Sequence, residues 1–276
     1  MKNIPPLLYT WLKMTKHIDR RDFLFKSSKF LLGSLLGLKG FSKAFAFEEK
    51  TDCVPQPTIS LIIDDIGFST IRTKRFLDLE TPITFSILPR LRMSYDMALE
   101  IHDRGHEIML HQPMEPTNPQ IDPGPGALYV GYEANRIADI LERNIVGLPY
   151  VIGVNNHMGS RFTASQKEVK DFIVFIKETG LFFVDSLTTS RSKAYKTAKQ
   201  LNVETARRNI FLDNHLEEST ILKQLAKLKI IAQKYGCAIG IGHPFPETAR
   251  ALRHFIESDG FAGFSLVPIS KLICSV

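Results

Sequence analysis

The chain is 276 residues long, 44% hydrophobic and 23% charged, with a formal net charge of +6. That positive excess is confined to the start. Residues 1–46 hold nine of the 35 Lys and Arg but only two of the 29 Asp and Glu, so the remainder stands at about −1. A basic balance that belongs to a leader gives no reason to expect a nucleic-acid partner, and the apolar content suffices for a full core.

The leader carries Arg20-Arg21 followed by Phe23-Leu24 and Lys26, then an apolar run from Phe30 to Phe41, then Ala44-Phe45-Ala46. This is the order of a basic region, a short hydrophobic region and a small-residue cleavage site. Gly33, Gly37, Lys39 and Gly40 interrupt the run, which falls short of the ~20 apolar residues a spanning helix needs. The arginine pair resembles a twin-arginine export signal, an address read by export machinery. Residues 1–46 are therefore expected to be a signal peptide and the destination periplasmic or otherwise extracytoplasmic; the alternative is an uncleaved N-terminal anchor. Residues 47–57, with Glu48, Glu49, Lys50 and two prolines, read as a linker, and 58–276 as one domain. The three cysteines show no metal-type spacing. Cys237 opens an apolar strand and is expected to be buried. Cys53 and Cys274 flank the first and last strands, where either a disulfide or two free thiols fits.

Short apolar runs at 58–63, 83–88, 107–110, 150–154, 181–184, 209–212, 238–241 and 264–267 read as strands covered on both faces. Helical patterns lie between them. Thr163-Ala164-Ser165-Gln166 has capping-box spacing and leads into an amphipathic run through Phe175. From Glu217 to Tyr235, Ile221, Leu225, Leu228 and Ala232 form one stripe that stops at Gly236. Seven or eight successive βα units imply an α/β fold with parallel strands and favour a barrel over an open sheet. Residues 113–132 carry five prolines and three glycines. A loop this long is usually functional, and following the third strand it belongs on the C-terminal rim.

Polar residues collect where the strands stop: Asp64 and Asp65, His111, Asn155-Asn156-His157, Asp185, Asp213-Asn214 and His243. In a parallel barrel these positions converge on one rim. Singly each has an ordinary reading, a helix cap for Asp64-Asp65 or a turn for Asn155-Asn156-His157. Their recurrence on successive strand ends argues for a shared site, because buried charges are costly unless paired or bound to metal. A mixed His and Asp set suits zinc with one position open to water; manganese, iron or cobalt fits the same donors. His102 and His254 fall inside helices and read as surface residues. His106 lies on the opposite rim, and His215 is marginal.

The strings Ile62-Ile63-Asp64-Asp65-Ile66-Gly67, Gly105-His106-Glu107-Ile108-Met109-Leu110-His111-Gln112-Pro113-Met114-Glu115, Pro123-Gly124-Pro125-Gly126-Ala127-Leu128, Gly153-Val154-Asn155-Asn156-His157-Met158-Gly159-Ser160, Phe183-Val184-Asp185-Ser186, Phe211-Leu212-Asp213-Asn214 and Ile241-Gly242-His243-Pro244 occur in order. Together they resemble the divergent polysaccharide deacetylase family of envelope proteins. The resemblance implies a distorted (β/α)7–8 barrel of the polysaccharide deacetylase type. It also implies Asp64 as general base, Asp65 as metal ligand and His243 as the acid that serves the leaving amine. Ordinary members supply a His-x-x-x-His pair, whereas this chain has His111 and Glu115 at that spacing. Either Glu115 is itself a ligand, or His157 reaches in from the fourth strand to complete an Asp65–His111–His157 set; the second is preferred.

The implied reaction is metal-assisted removal of N-acetyl groups from an envelope glycan, peptidoglycan or another polysaccharide. Asp185 is expected to orient an imidazole, and Asn155, Asn156 and Asp213 to contact substrate. Two other readings stand beside it: a catalytically inactive envelope module that binds glycan or a partner, and a metallohydrolase acting on another amide or a phosphoester.

Overall fold

The computed structural model describes residues 56–273. The leader, most of the linker and the Cys53–Cys274 pair lie outside the described residues. Among those described, no helix is long and apolar enough to cross a membrane.

The strands are β1 (Thr58–Ile66), β2 (Thr84–Ile87), β3 (Glu107–Met114), β4 (Val151–Met158), β5 (Phe182–Asp185), β6 (Thr205–Arg207), β7 (Ile210–Phe211), β8 (Cys237–Gly242) and β9 (Ser265–Leu266). Every pairing between them is parallel. The spatial order is β6-β5-β4-β3-β2-β1-β8-β7, with β9 also against β1. The helices are α1 (Thr70–Leu77), α2 (Ser94–Asp103), α3 (Ala134–Val146), α4 (Gln166–Thr179), α5 (Ala194–Gln200), α6 (Glu218–Tyr235), α7 (Pro246–Glu257) and α8 (Ile269–Ile273).

The two edges of this curled sheet are joined by one stretch of chain. β6 pairs with β5, and two residues later β7 pairs with β8. Between them the Arg208 amide donates to Asp185 O and the Asn209 amide to Ile239 O, both at 3.0 Å. All eight expected strands are present. β6 was not expected, because Thr205-Ala206-Arg207 has no apolar run and owes its ladder bonds to its position.

Side-chain alternation sorts the core into two layers. Ile59, Leu61 and Ile63 of β1, Leu110 of β3, Val154 of β4 and Phe183 of β5 face outward into the helices. Ile62, Met109, Phe182, Val184, Ala206, Ile239 and Ile241 fill the interior, with Ile269, Leu272 and Ile273 of α8 among them. Each fully buried aliphatic contributes ~1.5–3 kcal/mol.

Helix α6 buries the predicted stripe of Ile221, Leu225, Leu228 and Ala232, and ends at Gly236 with φ +84°. At α4 the expected capping box is absent. Thr163 sits in a preceding 3₁₀ turn, its hydroxyl committed to Gly159 O at 2.7 Å. Ser165 occupies the N-cap and donates to Glu168, whose other oxygen accepts the Gly131 amide at 2.9 Å. Cys237 is only partly buried, because it stands at the very start of its strand.

Candidate active site

Asp213 and His243 follow their strands and Asp185 ends its own, as expected, but β1, β3 and β4 run through their polar residues. β1 continues to Ile66, β3 to Met114 and β4 to Met158. Alternation then decides which polar side chains enter the barrel mouth. Asp64 is in phase with Ile62, His111 with Met109, and His243 with Ile241. Asn155 and His157 alternate in step with each other. Asp65 has the wrong phase, but its left-handed backbone, φ +57°, turns it back to the site. Such a conformation is costly for a non-glycine residue and clusters at functional sites. Met158 (φ +53°) and Leu187 (φ +49°) share it around the same mouth.

Three donor atoms meet there. Asp65 Oδ1 lies 3.1 Å from His111 Nε2 and 2.9 Å from His157 Nδ1, and the two nitrogens are 3.1 Å apart. Asp65 Oδ1 is buried, yet neither nearby ring presents an N–H to it in hydrogen-bonding alignment. Two imidazoles and a carboxylate thus converge on a point rather than pair. Donors ~2.1 Å from one ion stand ~3.0 Å apart at right angles and ~3.4 Å apart in a tetrahedron, both within a small shift of this spacing. The trio is a possible metal site. Burial pushes the Asp65 carboxyl up, but the two imidazoles outweigh it and hold that carboxyl well below the usual range.

Asn155 supports this centre. Its Oδ1 accepts from His111 Nδ1 at 2.7 Å and from Ser86, while its Nδ2 donates to Asp64 Oδ1 at 2.8 Å. With the proton held on Nδ1, His111 turns its Nε2 lone pair to the centre, the arrangement metal-binding histidines use. Asp64 and His111 are each 2% exposed. Burial raises the Asp64 carboxyl, and the imidazoles of His111 and His243 offset this only in part. His111 is opposed by burial but raised overall by Asp64 and Asp65.

Across the mouth, His243 Nδ1 bonds Asp213 Oδ1 at 2.8 Å. The His243 amide and Thr248 hydroxyl donate to Asp213 Oδ2 at 2.6 and 2.7 Å. Burial lowers the imidazole, but the bond to Asp213 and its charge, with Asp64 and Asp65 beyond, raise it to about 9. The ring stacks on Phe211 at 5.8 Å.

Several expected roles change. Asp185 has the outward phase and touches no imidazole. Its oxygens accept the Leu187 amide at 2.8 Å, the Ser192 hydroxyl at 2.7 Å and the Tyr195 amide at 3.2 Å, tying down the approach to α5. Asp213 does the orienting instead, and is buried beneath His243 rather than open to substrate. Asn155 is consumed by His111 and Asp64. Asn156 donates to Met158 O and accepts the Ser186 amide, so each asparagine already has partners inside the protein. Glu115 stands outside the trio. It bonds Arg161 at 2.9 Å and the Val130 amide at 2.8 Å, latching the 113–132 loop. Asn214 and His215 are exposed beyond the strand.

A cleft of about 200 Å³ joins Asp64, Asp65, His111, His157, Ser186 and His243. Beyond His157 and Met158, the 113–132 loop walls a recess of about 280 Å³ with Phe68, Pro89 and Leu91. A larger cavity, about 530 Å³, lies at the opposite end around His106 and Glu107. Size does not make it the site: Glu107 is taken up by Ser270, and no metal-type cluster occurs there among the described residues.

The family model for divergent polysaccharide deacetylases matches residues 61–273. The chain belongs to that family. A fellow protein of similar sequence is YibQ of Escherichia coli K12, uncharacterized, 29% identical over 198 residues; the match covers 72% of this chain and 62% of YibQ. An uncharacterized protein of Haemophilus influenzae is 32% identical over 200 residues, covering 72% and 70%. The chain also resembles the crystal structure of an uncharacterized protein from Agrobacterium tumefaciens C58, with TM-score 0.76 and 26% identity over 80% of this chain and 90% of that one. A structure described as T48 deacetylase with substrate shares the fold at TM-score 0.50 and 16% identity.

Proposed function

We propose that the mature protein is an extracytoplasmic, metal-dependent hydrolase that removes N-acetyl groups from an envelope glycan. The observation that carries this reading is the convergence of Asp65, His111 and His157 on one side of a cleft whose other side presents His243 backed by Asp213. Family membership supports the deacetylase class, and the twin-arginine leader supports export.

The nitrogen and oxygen donors fit zinc, held by Asp65, His111 and His157 with room left in the cleft; manganese, iron or cobalt meets the same donors. A bound divalent ion acidifies water and polarises an acyl oxygen. Asp64 stands beside the trio, its Oδ2 3.7 Å from His111 Nε2, and takes the proton of the attacking water. Burial raises its carboxyl, which suits it to that task. His243, raised to about 9, is protonated at neutral pH and hands a proton to the departing amine. The 113–132 loop forms one wall of the approach for a polymer.

The test is elemental analysis of the purified mature protein with Asp65→Ala and His111→Ala, together with acetate release from N-acetylglucosamine oligomers. Loss of metal and of release in both variants is expected. Full metal retention in both refutes the site. A metal-free native protein that still binds the oligomer is a non-catalytic module, and turnover of phosphoesters or peptides in preference to acetylated sugars moves the substrate class.

A further inference from the structure

Four buried side-chain polar atoms among the described residues lack a hydrogen-bond partner: Ser60 Oγ, Asp65 Oδ1, Asn144 Oδ1 and Ser186 Oγ. Two of them, on Asp65 and Ser186, belong to residues lining the same cleft. The orphaned Asp65 oxygen is accounted for by the cation its neighbours are shaped to share. The Ser186 hydroxyl has no such account, and an unpaired buried hydroxyl is a cost a fold does not carry without reason.

Its surroundings hold it firmly. Ser186 is 1% exposed. Its amide donates to Asn156 Oδ1 at 2.9 Å, and its carbonyl accepts Arg208 Nε at 2.7 Å. Arg208 also reaches Leu187 O at 2.9 Å, and its guanidinium lies 3.6 Å from the Phe211 ring centre, so one cation braces two cleft walls. With both backbone groups fixed, only the hydroxyl is uncommitted. Continuing the alternation past Val184 turns Ser186 inward, to the cleft it lines with His157 of β4 and His243 just past β8.

We propose that the Ser186 hydroxyl donates a hydrogen bond to the acyl oxygen of the bound substrate, an inference that rests on the hydrolase reading above. Depth selects the acyl group. A residue this buried is reached by a small substituent entering the cleft, not by sugar hydroxyls held above the rim. Chemistry selects the oxygen. His243 serves the amine, whereas the acyl oxygen is the acceptor that gains negative charge as water adds, where a fixed donor acts most strongly.

The test is Ser186→Ala in the zinc-loaded mature protein. Expected are a ~10- to 100-fold fall in kcat on N-acetylglucosamine oligomers with KM little changed, unaltered zinc content, and several-fold weaker binding of acetate by calorimetry. Tm holds or rises, because the substitution removes an unpaired hydroxyl. A purely structural serine gives a lower Tm instead. Unchanged kcat and acetate affinity overturn the assignment, as does a loss confined to KM. Wild type that turns over while Ser186→Ala matches it defeats this inference alone. Wild type that binds acetate through Ser186 yet releases none from the oligomer defeats the hydrolase reading and leaves the hydroxyl's role as an acyl-oxygen donor standing.

Discussion

Replacing Asp213 by Asn tests the acid side of the cleft most directly. The Asp213 side chain is fully buried and accepts from the His243 ring, the His243 amide and Thr248 at 2.6 to 2.8 Å. An asparagine offers one acceptor oxygen and one NH2, so either the ring or the amide loses its partner, and the charge that holds the imidazolium disappears. His243 stands at about 9 in the fold against an ordinary 6.5, a gap corresponding to ~3 kcal/mol. The folded value is the higher one. The stabilisation is therefore fully present below pH 6.5, fades as pH rises through about 9, and is absent above. In Asp213→Asn the imidazole falls toward or below its ordinary value, since burial alone lowers it. Urea unfolding of the metal-free mature protein at pH 6 and pH 10 reads the difference: native protein loses ~3 kcal/mol from this group over that span and the variant does not. An NMR titration of His243 locates the midpoint directly. The alkaline limb of turnover, where the acid loses its proton, moves down with it. A variant whose His243 still titrates near 9 refutes the reasoning.

Asn155→Ala removes a side chain that hydrogen-bonds both His111 and Asp64. Zinc affinity is expected to fall ~10- to 100-fold, measured by competition with a chelating dye. Gly153→Ala places a methyl 2.2 Å from the Phe182 ring inside the barrel. A loss of ~1–3 kcal/mol is expected from overpacking, read as a lower urea midpoint with zinc content preserved.

The strands were legible because eight apolar runs are bounded by polar residues, and the α6 stripe because its period is unmistakable. Strand ends were misjudged at β1, β3 and β4. Hydropathy stops where side chains turn polar, but the ladder bonds of the backbone continue through Asp64, His111 and His157. The convergence of Asp65, His111 and His157 into a possible metal site was legible from residue type and rim position, with His157 in it and Glu115 outside. Roles within the rim were less so, since polarity alone does not say which way a side chain faces. Asp185 and Ser186 are neighbours, and the period-2 count from Val184 separates them: the carboxylate points out to the helix layer, the hydroxyl inward. That count was available in Phe183-Val184-Asp185-Ser186, but the more conspicuous charge drew the assignment. Asn155 and Asn156 were read as substrate contacts because nothing in their spacing reveals that both already have partners inside the protein.

The stretch from Thr205 to Phe211 gives the barrel an uneven hoop. Its longest ladders join β3 to β4 and β1 to β8, and Asp65, His111 and His157 stand on β1, β3 and β4. The fastening between β5 and β8 is a few residues wide, and Ser186, Phe211 and His243 stand beside it. When the hoop yields, this clasp gives first. Opening there shifts Ser186, Phe211 and His243, while Asp65, His111 and His157 on β1, β3 and β4 keep their spacing.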